Sequence, residues 1–235
     1  MKKVLIYICI FIVFLFGGSI IIGRSLISHI NYNNFVSNVK YFSTPIEYVY
    51  NDFKQNKEIF IDDKKINNIE ELIDKSEYVL KIKIVDNPTF YGNGIINNAK
   101  ILEIIKGEDK NIYVGNEVKI YDLISYWSGD YINYYGGMTP LNPKNEYIVF
   151  LKKAENANQE GAYIFSSIRY GYFNISTLEA NILTNYIQGS LTVQKIMEYD
   201  YVEMNCDSSG YNSCDNYAED YSKLKRQLFN YMANE

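Results

Sequence analysis

Along the middle of the chain apolar and polar positions alternate, and the alternation predicts strands. Leu80, Ile82 and Ile84 are separated by Lys81 and Lys83, and the run Tyr78–Val85 stops at Asn87 and Pro88. Ile95–Ile105 is a longer candidate ahead of the turn Lys106–Asp109. Glu117–Tyr121 alternates after a Val114–Asn116 turn, Glu146–Leu151 has the continuous apolarity of a buried strand, and Ala162–Phe165 with Tyr170–Phe173 adds one or two more. About five strands at this spacing predict a small closed or partly open antiparallel barrel. Helical spacing brackets it. Asn68 caps a short helix over Ile69–Asp74, where Glu70 and Glu71 suit the positive end. After Thr177, Leu178, Ile182, Leu183, Tyr186 and Ile187 recur at helical intervals, and Tyr221, Leu224, Leu228 and Tyr231 form a second stripe within Tyr217–Tyr231. Two helices packed on the barrel are expected from these C-terminal stripes.

The N-terminus breaks the pattern. Val4–Gly23 carries no charge, and as a helix rising about 1.5 Å per residue it reaches about 30 Å, enough to cross a bilayer. A cleaved signal has a shorter apolar core of about 7–15 residues before its small-residue site. Gly17, Gly18 and Ser19 are small, but Ile20–Ile22 resumes the apolar run, so an uncleaved anchor is favoured over a cleaved signal. Cys9 lies inside the run without the small residues of a lipid-attachment site and fits as a small apolar helix residue. Lys2 and Lys3 stay on the cytoplasmic side, which puts the rest of the chain outside the cell as a single-pass membrane protein. The expected organisation is an anchor over 1–24, a stalk over 25–65, a barrel over 66–175 and a helical C-terminal extension over 176–235. The fold class is mainly β with α.

Charge and composition narrow the partners. Arg24 and the two N-terminal lysines are the only basic residues up to position 24, which leaves 20 basic against 28 acidic residues outside the anchor. A net acidic domain is poorly suited to phosphate backbones, so nucleic acid is excluded as a partner. His29 is the single histidine, which excludes any site built on two imidazoles. No metal or cofactor is expected.

The stretches Ile69–Leu80 (IEELIDKSEYVL), Ala99–Gly107 (AKILEIIKG), Val114–Val118 (VGNEV) and Asn145–Leu151 (NEYIVFL) resemble a group of exported, uncharacterised Gram-positive domains. Those in turn resemble the OB-like barrel of tissue inhibitors of metalloproteinases and netrin modules. The resemblance covers about residues 69–175, rests on strand pattern and implies an OB-like fold. The inhibitor family carries an N-terminal cysteine and several disulfides, which are not in this sequence, so protease inhibition does not carry over with the fold.

Candidate chemistry is sparse. Tyr126, Trp127, Tyr131, Tyr134 and Tyr135 gather with Gly, Asn and Asp in a long connection between two strands. They fit a stacking surface for a wall glycan or a contact patch for an envelope protein, or else a lid that buries its rings over the barrel end. Cys206 and Cys214, outside the membrane, are expected to pair as a disulfide. The surrounding loop Asn205–Asn216 partly follows a calcium loop, but Asn216 stands where a bidentate Glu belongs, so no calcium is expected. Ser37 and Lys40 match SxxK without its partner motifs, a chance match. No catalytic residue is assigned. The expected function is a membrane-anchored extracytoplasmic binding or interaction module. A cell-envelope hydrolase acting through carboxylates, and an inhibitor of an extracellular peptidase, are the alternatives.

Overall fold

The computed structural model describes residues 37–38, 40–44, 60–61, 63–91, 94–122, 124–127, 131–154, 161–187, 189–204 and 217–234. The expected anchor Val4–Gly23 and the expected Cys206–Cys214 disulfide with its loop lie outside these residues. Among the described residues no helix is long and apolar enough to cross a membrane.

Strand β1 (Lys40–Thr44) precedes a 3-10 turn at Asp63–Lys65 and helix α1 (Ile69–Lys75). Next come β2 (Tyr78–Ile84), β3 (Thr89–Tyr91), β4 (Gly94–Lys106), β5 (Glu117–Tyr121), β6 (Ile124–Trp127) and β7 (Tyr131–Tyr135). The chain continues through β8 (Glu146–Lys153), β9 (Ala162–Phe165), β10 (Tyr172–Asn174), β11 (Ile182–Tyr186), α2 (Val193–Ile196), β12 (Tyr201–Met204) and α3 (Tyr217–Asn234).

Alternation produces the barrel as expected. Leu80, Ile82 and Ile84 of β2 are buried while Lys83 is exposed, and Val118 and Ile120 of β5 point inward between exposed Glu117 and Lys119. The strands run in the circular order β2, β4, β5, β9, β8 and back to β2. Four of the pairings are antiparallel, but β5 and β9 are parallel, with Ile120 opposite Tyr163. The all-antiparallel barrel expected from sequence is therefore corrected to a mixed one. The reason is parity: strand direction can alternate around a closed ring only when the number of strands is even, so closure of five strands requires a parallel neighbour. Register shifts between Val79 and Leu80 and between Lys81 and Ile82 bend the β2–β4 pair.

At α1, Asn68 Oδ1 accepts the Glu71 N–H at 2.9 Å, and the Glu71 carboxylate accepts the Asn67 N–H at 3.1 Å. This is the predicted cap. Helix α3 follows its stripe, with Tyr221, Leu224 and Leu228 buried on the barrel, and the Tyr221 ring lies 4.7 Å from Phe173 and 5.0 Å from Tyr201 between centroids.

Two expectations fail. The predicted helix through Leu178–Ile187 is replaced by β11, which pairs in parallel with β12, Ile182 opposite Tyr201 and Leu183 opposite Val202. A helix would have gathered the five apolar positions on one face, whereas Leu178 is 58% and Ile187 69% exposed and only Tyr186 is buried. Thr184 and Asn185 are poor helix formers, and Asn185 takes a left-handed φ of 56° where the register slips. The C-terminal extension over 176–235 is thus mixed rather than helical. The expected stalk also contributes to the fold, since Lys40–Thr44, with its aromatic and β-branched residues, pairs in parallel with β7.

Candidate functional site

The aromatic connection is a β-hairpin. β6 and β7 pair antiparallel, with Trp127 opposite Tyr131, Tyr126 opposite Ile132 and Ile124 opposite Tyr134. β1 adds a third strand along β7, Tyr131 opposite Lys40 and Tyr135 opposite Thr44. Because successive strand residues alternate between faces and opposed residues share one, positions 127, 131 and 135 belong to one face of this sheet. Positions 126 and 134 belong to the other. The structure therefore brings three of the five candidate positions together and separates them from the remaining two, so no single surface uses all five. Sequence alone presented them as one cluster because Gly, Asn and Asp among the rings have the composition of a loop.

Both ends of the hairpin are tied to the rest of the fold by hydrogen bonds of the flanking residues. At its start, the Asp122 N–H donates to the Ile95 carbonyl at 2.9 Å, and buried Asn97 donates from Nδ2 to Asp122 Oδ2 at 3.3 Å. At its exit, Gly137 has φ +81°, and a Cβ there would stand 2.6 Å from the Val202 carbonyl oxygen. Only glycine fits. The Gly137 carbonyl accepts the Val202 N–H at 2.7 Å, Thr139 Oγ1 donates to the Tyr199 carbonyl at 2.7 Å, and the buried Tyr172 hydroxyl donates to the Thr139 carbonyl while accepting the Thr139 N–H at 3.0 Å. Further on, the Tyr147 hydroxyl accepts the Asn142 N–H at 2.7 Å. Burial pushes the Tyr147 phenol well above its ordinary pKa, the Asn142 contact opposing it, so the hydroxyl stays protonated. The residues that flank the hairpin are thus hydrogen-bonded to the rest of the fold on both sides.

Sequence reasoning missed two buried polar clusters. In the first, Ser167 Oγ donates to Asp63 Oδ1 at 2.6 Å and accepts the Tyr170 N–H at 2.7 Å, while Asp63 Oδ2 accepts the Arg169 N–H at 3.3 Å. The Arg169 guanidinium lies 3.2 Å from the centroid of the Tyr217 ring. Burial raises the Tyr170 pKa, and the Asp220 and Asp63 carboxylates add to the effect. A serine beside a carboxylate invites a nucleophile reading. Here the hydroxyl is fully buried and committed on both sides, so the cluster fastens the 3-10 turn to the β9–β10 connection.

The second cluster joins α3 to the end of β10, the segment after it and the residue before β12. Lys225 Nζ lies 2.9 Å from Asp200 Oδ2 and also donates to Thr177 Oγ1 at 3.3 Å and the Glu179 carbonyl at 3.1 Å. Asp200 accepts in addition from Asn174 Nδ2 at 2.8 Å and the Asn181 N–H at 2.9 Å. Ammonium and carboxylate are each held by three bonds, which is the condition for an ion pair to persist away from water. A lysine in an otherwise apolar helical stripe was the signal that sequence offered for it.

The chain matches no family model and no curated protein.

Proposed function

We propose that this protein is a membrane-anchored, extracytoplasmic binding module whose OB-like barrel carries an aromatic hairpin as its recognition element. The OB-like reading is supported by strand order. Numbering the five barrel strands along the chain, they neighbour one another as 1-2-3-5-4-1, with the third and fifth parallel. The observation that carries the binding reading is the three-stranded pairing that puts Trp127, Tyr131 and Tyr135 at positions of one face, with the flanking residues hydrogen-bonded to the fold. Aromatic groups at a rigid site supply much of the binding energy in protein and glycan recognition. The partner is an envelope protein or a wall glycan.

The split between faces makes the reading testable. Alanine substitutions on the recognition face should weaken capture of the partner from solubilised envelopes by about 1 kcal/mol or more each and leave the melting temperature unchanged. Those on the opposite face should leave capture of the partner unchanged. Trp127→Ala, Tyr131→Ala and Tyr135→Ala should behave as one group, and Tyr126→Ala and Tyr134→Ala as the other. Five variants with indistinguishable behaviour in both assays would refute a recognition face.

The anchor is tested by fractionation. Val4–Gly23 should hold the full-length protein in the membrane pellet through an alkaline wash, while a chain starting at Ser25 should be soluble. Recovery of most of the protein in the medium with a new N-terminus would show cleavage instead.

A further inference from the structure

We propose that strand β11 is a dimerisation edge, along which β11 of a second copy of this chain adds antiparallel. This goes beyond the hairpin reading and does not depend on it.

β11 and β12 form a two-stranded sheet whose two outer edges differ. The outer edge of β12 is occupied by the segment after the hairpin: Met138 bridges to Tyr201, and the Val202 N–H donates to the Gly137 carbonyl at 2.7 Å. Among the described residues no strand lies on the outer edge of β11. Successive residues of a strand direct their N–H and C=O groups to opposite edges. Val202 turns its N–H away from β11, so the ladder between the strands runs through Leu183, its opposite number. The Asn181 carbonyl lies on that same inner edge and accepts the Asp200 N–H at 2.8 Å. Ile182 and Thr184, one residue out of step, present their N–H and C=O groups outward, which is a template for another strand. The register slip at Asn185 ends this regular stretch, so the edge is short.

Composition and charge select the partner. Natural edges are blunted by charge, above all lysine, or by proline. β11 has neither, and Glu179 is the only charged residue from Tyr170 to Gln194. Leu178 and Ile187 flank the strand and are exposed, and Ile182 and Leu183 are half-buried. A charged strand would find no counter-charge on this edge. An uncharged strand of aliphatic and β-branched residues fits it, and β11 of a second copy is such a strand. The chain is net acidic, so two copies repel over most of their surface, and this uncharged arm is where the repulsion is weakest. A two-stranded pairing is marginal by itself. A two-fold axis at Leu183 sets Ile182 of each copy opposite Thr184 of the other and joins the two ribbons into one sheet of four strands. Growth stops there, because the edge left over is that of β12, which Gly137 and Met138 already hold. The assembly closes as a dimer and does not extend into a filament.

The test is sedimentation equilibrium of the full-length chain in density-matched detergent, at concentrations up to about 100 µM, since so short an edge belongs with the small, transient interfaces. A monomer–dimer equilibrium is expected. Thr184→Lys and Ile187→Glu should each weaken it at least tenfold with the melting temperature unchanged, because both side chains are exposed. Leu183→Cys should form a disulfide between two peptides that both contain residue 183, because the axis places these positions opposite each other at the Cα separation of about 4.5 Å of a non-hydrogen-bonded pair. Asn185→Cys, displaced from the axis, should not cross-link to itself. Trp127→Ala should leave the dimer unchanged. A monomer at every concentration, a dimer that Thr184→Lys leaves intact, or cross-linking at residue 185 in place of 183 overturns the proposal. So does a monomeric chain that captures an envelope protein and loses it with Thr184→Lys, in which case the edge serves a different partner.

Discussion

Lys225→Met should be among the most destabilising single substitutions in this fold, lowering unfolding free energy by about 3–5 kcal/mol. The side chains of Lys225 and Asp200 are 0% and 5% exposed and lie 2.9 Å apart. Removing the ammonium leaves the carboxylate with its two remaining donors from Asn174 and Asn181 but without a counter-charge. It also strips a donor from Thr177 and from the Glu179 carbonyl. Methionine fills much of the space of the lysine stem, so the loss reports the stranded charge more than a cavity. The double variant Lys225→Met, Asp200→Leu should recover a large part of the stability, because apolar groups of similar size often replace a buried pair at little net cost. Urea unfolding of the single and double variants measures both. A loss below about 1 kcal/mol for Lys225→Met would mean that the pair is not buried in solution or that water takes the place of the ammonium.

The contrast between this pair and the barrel shows which parts of the fold a sequence exposes. One-face burial prints its period directly on the residues, so Glu117–Tyr121 and Ala162–Phe165 could be bounded as strands without knowing their neighbours. Neighbour direction carries no such local print. The parallel β5–β9 pair was legible only through the parity of a closed ring, which a list of strands does not enforce. Leu178–Ile187 failed for a related reason: apolar positions at helical spacing are permitted in an exposed arm, where nothing selects against them, and the pairing with β12 decided the outcome. Lys225 was half legible. Its place between Leu224 and Leu228 marked a cation on a buried face, but its partner lies 25 residues upstream, and no local pattern points there. In the hairpin, the alternation of Tyr131, Ile132, Asn133 and Tyr134 already contained the division into two faces. It became readable only once a strand was assigned.

Alkali should unfold the protein abruptly. Burial pushes the Tyr163 phenol up to about 12, with the Asp109 carboxylate and Tyr78 adding to it, and burial raises Tyr147, Tyr170 and Tyr221 further. In the unfolded chain each of these phenols titrates near about 10. Below that pH both states hold the proton and stability does not change on this account. Above it the unfolded state loses protons that the folded state keeps, so the unfolded state binds fewer protons and stability falls as pH rises. Each buried phenol contributes about 1.4 kcal/mol per pH unit, and four together about 5 kcal/mol per unit, against a total stability of about 5–15 kcal/mol for a typical domain. The fold should therefore hold to about pH 10 and collapse between about pH 11 and 12, with phenolate absorbance rising in step with the loss of circular dichroism. Tyr163→Phe isolates one contribution. The Tyr163 hydroxyl is buried and makes no hydrogen bond among the described residues, so its removal should cost little at neutral pH. In alkali it should shift the collapse upward and flatten the slope by about a quarter. Phenols that titrate smoothly near their ordinary value while the circular dichroism stays native would show that these side chains reach water in the folded state, and the buried aromatic core described for Tyr147, Tyr163, Tyr170 and Tyr221 would have to be abandoned.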